Sequence, residues 1–146
     1  MTAPTSQAYR GERLGLPEAG PGSLSTTGQR LGAFIVDALA SGLVAGLFVQ
    51  VLRHNAGGDV ASRFPGSWSL IPFAIDYLVG LLIAGRTLGM YLFGLRVIRV
   101  DRAAAVDPWR ALVRTALLAM LIPAVVWDRD GRGLHDRLTD TAVVRA

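Results

Sequence analysis

The apolar residues of this chain neither alternate nor recur along one helical stripe; they run together. Three blocks stand out, residues 31–52, 68–85 and 111–127, separated by stretches rich in Gly, Pro, Arg and Asp. A helix needs ~20 predominantly apolar residues to cross the hydrocarbon of a bilayer, and each block approaches that length. The pattern predicts helices over about 30–52, 68–85 and 108–127. Thr26-Thr27-Gly28-Gln29 has the form of a capping box at the start of the first. Asp107-Pro108 offers an N-cap and a first-turn proline for the third, and Pro123 is placed to kink or end it.

Between the second and third blocks, Leu95 to Val100 has the β-branched content of a short strand, and TAVVR near the C-terminus resembles another. Little of the 146 residues is left for a separate soluble core. The expected fold class is an all-α membrane protein. It has two transmembrane helices, a third apolar helix that spans or re-enters, and a possible small strand pair on the cytoplasmic side. Residues 1–28 read as a disordered polar tail, because they offer too little apolar surface to offset the entropy of ordering. Residues 29–146 form the membrane domain. The tail lacks the apolar centre of a cleavable signal, so the first span is expected to remain as an anchor.

Charge refines this picture. All 15 cationic residues are Arg, and the net charge is +4. The arginines flank apolar blocks instead of clustering on one polar face, which suits phospholipid head groups and argues against nucleic acid. Only Arg53 and Arg63 follow the first span, whereas Arg10, Arg13, Arg30, Arg86, Arg96, Arg99, Arg102 and Arg110 sit before it or after the second. The positive-inside rule therefore puts the N-terminus and the second linker in the cytoplasm of an inner, or plasma, membrane. The basic tail with Arg129, Arg132, Arg137 and Arg145 bears on the third block. Hydropathy favours a span for it, and arginine counting tips the balance toward re-entry.

Two aspartates lie inside the apolar blocks. Asp37 follows Arg30 by about two helical turns, ~10 Å along the axis. Helical side chains lean toward the N-terminus, so Arg30 points away from Asp37 and toward phosphate at the membrane edge. Counted from the cytoplasmic face, Asp37 and Arg114 both lie ~9–10 Å deep and Asp76 ~13 Å. An uncompensated charge at that depth costs about 2.5–3.5 kcal/mol on insertion scales. We therefore expect an intramembrane cluster of Asp37, Asp76 and Arg114, with an Asp37–Arg114 pair at its centre. Such a cluster serves most simply to join helices; a proton or cation site is the sharper alternative, and it needs a homo-oligomer to enclose a path. Gly42 and Gly46 form a GxxxG that could supply the helix contact.

Reaction chemistry is missing. The chain has no cysteine, and no Walker, GxSxG or HExxH motif. The DRDGRG stretch resembles the start of a calcium loop, but the third acidic position is missing and Thr139 occupies the twelfth, where Glu belongs. His135-Asp136 is read as a surface hydrogen-bonding pair instead of a metal site. No enzyme, metal or cofactor is expected.

Arg30, Ala33 and Asp37, then GRTLGMYLFGLRVIRVD, then WRALVR and GLHDRLTDTAVV resemble the RDD family of small bacterial membrane proteins over about residues 29–144. The resemblance implies that Arg30, Asp37 and Asp136 are the family's arginine and two aspartates, and that Asp76 is particular to this chain. Arg86, Met90 and Asp140 depart from the usual pattern; Asp140 replaces a usual glycine before Thr141, which questions that turn. The family implies a membrane protein, with transport suggested. The functional expectation is a non-catalytic component, accessory or assembling, in a homo-oligomer or larger membrane complex. An oligomeric ion- or proton-coupled transporter is the alternative, and contact of the linker arginines with anionic membrane lipid is a third possibility.

Overall fold

The computed structural model describes residues 8–101, 106–119 and 132–146. It is mostly helical, with one small sheet. Helix α1 runs Thr27–Ala56, a short α2 covers Gly58–Ala61, and α3 covers Leu70–Ala84 after a 3-10 turn at Gly66–Ser69. A five-residue α4, Leu88–Leu92, leads into strand β1, Leu95–Arg99. Helix α5 begins at Pro108 and is described to Ala119; α6, Leu134–Leu138, then precedes strand β2, Thr141–Arg145. The remainder of the third helix expected to residue 127, and the kink at Pro123, lie outside the described residues.

Helix α1 starts where its capping chemistry dictates. The Thr26 hydroxyl accepts from the Gln29 amide at 3.2 Å, and the Gln29 side chain accepts from the Thr26 amide at 3.0 Å. Both bonds satisfy N–H groups that the first helical turn leaves without partners. Thr26→Ala removes one of them and should cost ~1 kcal/mol, read as a small drop in thermal midpoint in detergent.

Two helices, Thr27–Ala56 and Gly66–Ala84, are long and apolar enough to cross a membrane. Thirty residues of helix measure about 45 Å and nineteen about 28 Å, against a hydrocarbon core of ~30 Å. Only 17% of the most apolar stretch of each is buried inside the protein, where the core helix of a soluble domain would be mostly covered. The sorting of side chains explains this. Ala33, Asp37, Ser41 and Ala45 recur every fourth residue on the inward face of α1, while Leu31, Ile35, Leu39, Leu43 and Leu47 face out. Small and polar residues pack between helices and large apolar ones face the surroundings, which is the arrangement that lipid favours. Gly42 and Gly46 lie on the outward face, where an added Cβ would meet nothing within 4 Å, so neither makes a close helix contact among the described residues.

Helix α3 packs on α1 through Phe73, Tyr77 and Leu81, with Phe34 and Phe73 edge to face at 5.6 Å. At the far end Phe48, Phe64 and Trp68 form an aromatic cluster. Gly85, in the left-handed region at φ 66°, stops α3 and turns the chain into α4. The start of α1 and the end of α3 thus lie at the sheet, where Arg30 donates to Val143 O and the Val97 amide donates to Gly85 O. Strands β1 and β2 pair antiparallel, with Leu95 opposite Arg145, Val97 opposite Val143 and Arg99 opposite Thr141. At the end of β1 the Arg99 guanidinium bonds Asp101 at 2.6 Å and Asp107 at 2.9 Å, and its hydrogen bonds hold the Asp101 carboxyl below its ordinary pKa.

Residues 8–26 correct the expectation of a disordered tail. Leu24 forms a bridge with Val144, the Ser25 amide donates to Val143 O, and the Arg145 amide donates to Ser23 O. The segment lines the outer edge of β2 almost as a third strand. Its polar composition suggested disorder, but backbone hydrogen bonds to a waiting edge do not depend on composition. The questioned turn before Thr141 forms with Asp140 itself at φ 48°. Asp tolerates the left-handed region better than most residues, and Arg110 donates to the Thr139 carbonyl beside it at 2.6 Å.

Candidate functional site

The charged residues singled out in the sequence gather where α1, α3, α4, α5, α6 and β2 meet, but they pair differently from the expectation. Asp37 is fully buried and faces α4. Its Oδ2 accepts from the Thr87 hydroxyl at 2.6 Å and its Oδ1 from the Gly89 amide at 2.5 Å. Thr87 is also the N-cap of α4, accepting from the Met90 amide at 3.2 Å. A carboxylate from one helix therefore satisfies the amide end of another, where backbone N–H groups carry partial positive charge. Gly89 makes this possible, since a Cβ there would collide with the Ala33 carbonyl of α1 and the Asp37 carboxylate.

Asp76, on α3, lies beside Asp37 and accepts from the Leu88 amide at 3.4 Å. Its second oxygen is buried without a hydrogen-bond donor among the described residues. Tyr77, 2% exposed, lies within electrostatic reach of both Asp37 and Arg114.

Arg114, 1% exposed on α5, forms an ion pair with Asp136 of α6, not with Asp37. The same Nη1 donates to the Thr141 hydroxyl at 3.0 Å. Asp136, itself 1% exposed, also takes Arg30 Nη1 at 3.4 Å, and His135 Nε2 lies 3.5 Å from it. Arg30 does not reach out to phosphate. Its Nε donates to Ser25 Oγ at 2.7 Å and its Nη2 to the Val143 carbonyl at 3.3 Å. The central pair of the expected cluster is thus replaced by a clamp in which Asp136 bridges Arg30 and Arg114. The reason is that both Asp37 oxygens are already engaged by α4, while α6 brings a second buried carboxylate to Arg114. The surface reading of His135-Asp136 is corrected as well, since both are buried.

Sequence reading missed Thr87, Gly89, Tyr77 and Thr141 as members of this network. Thr87 is a residue type favoured at helix N-caps, but TLGM lacks the Glu or Gln that would complete a capping box, so the start of α4 carries only a weak signal. Nothing comparable marks Tyr77 or Thr141.

The arrangement can fix elements against each other; among the described residues no group of His, Asp and Glu could hold a metal ion. Asparagine at position 37 keeps one acceptor oxygen and presents an NH2 where a second acceptor is needed. Asp37→Asn should therefore cost roughly 1.5–3 kcal/mol, the range for hydrogen bonds to a charged group, measured as a lowered thermal midpoint in detergent.

Compared with known proteins, residues 24–140 match the model of the RDD family. No curated protein and no solved structure matches the chain.

Proposed function

The chain belongs to the RDD family, and on that premise we propose that it is a non-catalytic, multi-pass component of the inner membrane, with an accessory or assembly role. The observation that carries this reading is how the family's charged residues are used. Arg30 and Asp136 join α1 to α6 and β2, and Asp37 joins α1 to α4. Residues spent on internal joints are suited to holding a scaffold together.

The N-terminus, the basic linker and the C-terminal strand belong together on the cytoplasmic side. Pairing of Leu24 with β2 and of β2 with β1 supports a common side for them. Arg53 and Arg63 then remain on the other side, in keeping with the positive-inside rule. The outward Gly42 and Gly46 offer a close-packing face to a second copy or another membrane chain.

Asp76 favours a second reading, ion- or proton-coupled transport by an oligomer, because one of its oxygens is buried beside Asp37 without a donor among the described residues. Purification from native membranes with identification of co-purifying chains separates the two. An accessory component brings a larger partner with it in stoichiometric amount, and its reconstituted vesicles show no ion-dependent proton flux. Flux that Asp37→Asn abolishes while the chain stays folded would overturn the accessory reading.

A further inference from the structure

The α3–α4 corner carries apolar side chains that the described residues leave largely exposed. Leu88, Tyr91, Leu92 and Phe93 are all exposed on or just after α4, Leu92 by 64%. They continue the outward face of α3, whose last turn shows Ile83 to the surroundings. Only three residues separate the end of α3 from the start of α4, so these side chains sit at the rim of the membrane-crossing surface. Arg86 lies at the same rim, its guanidinium carbon 4.8 Å from the centre of the Tyr91 ring. No carboxylate pairs with Arg86 among the described residues.

A guanidinium stacked on an aromatic face keeps its edge N–H groups free, and that edge matches a phosphate with two parallel hydrogen bonds. The amide end of α4 is already filled by Asp37 and Asp76, so it does not compete for the anion. We propose that the α3–α4 corner is a binding site for an anionic glycerophospholipid, with Arg86 on the headgroup phosphate and Leu88 and Leu92 along an acyl chain. Two features argue for lipid as the occupant. The apolar residues are continuous with the outward surface of the long helices, and among the described residues the cation beside them has no carboxylate partner.

The site rests on the membrane-spanning reading, which resistance of the chain to carbonate extraction tests separately. The chain is purified in mild detergent, given equal amounts of phosphatidylglycerol and phosphatidylcholine, and its retained lipids are counted by native mass spectrometry. Wild type should retain phosphatidylglycerol preferentially. Arg86→Gln should lower that preference about fivefold, the share one arginine contributes at an anionic surface, and leave phosphatidylcholine retention unchanged. Arg86→Lys should fall between, since it keeps the charge and loses the planar fork. Equal preference in Arg86→Gln and wild type would overturn the proposal. If Arg86→Gln does not fold, hydrogen exchange of wild type in lipid discs decides. Stronger protection of residues 85–94 in phosphatidylglycerol than in phosphatidylcholine supports the site, and equal protection overturns it.

Discussion

Asp136→Asn should be the most damaging single replacement in this chain, costing roughly 3–5 kcal/mol, as expected when one member of a buried ion pair is removed. Asp136 neutralises Arg114, which is 1% exposed, and also holds Arg30. Asparagine fills the same volume but leaves two guanidinium groups facing each other with no negative charge between them. Arg114 cannot turn to water, because α5, α6 and β2 enclose it, and its Thr141 hydrogen bond supplies no charge. The expected result is loss of monodisperse protein on size-exclusion chromatography in mild detergent. A fall in thermal midpoint of the surviving fraction should accompany it. Exposed Asp140, which touches Arg110 only at 3.5 Å, makes a control. A surface pair of this kind contributes ~0–1 kcal/mol, so Asp140→Asn should leave both readouts close to wild type.

Gly89→Ala should be the second large loss. The added methyl would run into the backbone carbonyl of Ala33 and lie 2.8 Å from Asp37 Oδ1. Neither neighbour can step aside cheaply. The carbonyl belongs to the continuous hydrogen-bond ladder of α1, and the carboxylate is held by Thr87. Overpacking a tight site costs ~1–3 kcal/mol, and contact with backbone puts this case at the upper end or beyond. Relief would require α4 to move off α1, which also breaks the Asp37–Gly89 bond. Gly42→Ala separates this from any general intolerance of alanine, because its added methyl meets nothing within 4 Å. For the folding of a single chain, Gly42→Ala should be neutral or slightly stabilising, since alanine is the better helix former by ~1 kcal/mol.

The two long helices were legible because lipid-facing helices must be apolar over their whole length, and a run of apolar residues needs no periodicity to be seen. The Thr26 capping box could likewise be read, since it depends only on neighbours three residues apart. Residue type alone, helped by the resemblance, singled out Arg30, Asp37, Asp136 and Arg114. Their partners could not be read that way. Counting residues along helix axes placed Arg114 level with Asp37, but depth says nothing about which way a side chain faces around its helix. The deciding element, α4, is five residues long, too short to show a helical period, and its amide end is what satisfies Asp37. Asp136 became the partner of Arg114 through the pairing of β1 with β2, a contact between distant parts of the chain.

The central claim is that Arg114 is bound to Asp136 and that Asp37 serves α4. Two double-mutant cycles in the same detergent measure it directly, one joining Arg114→Gln with Asp136→Asn and the other joining Arg114→Gln with Asp37→Asn. The first pair should be strongly non-additive, with a coupling of roughly 0.5–3 kcal/mol as residues in one ion-pair network show, and the second should couple much less. Additivity of Arg114 with Asp136, or stronger coupling of Arg114 with Asp37, would contradict it.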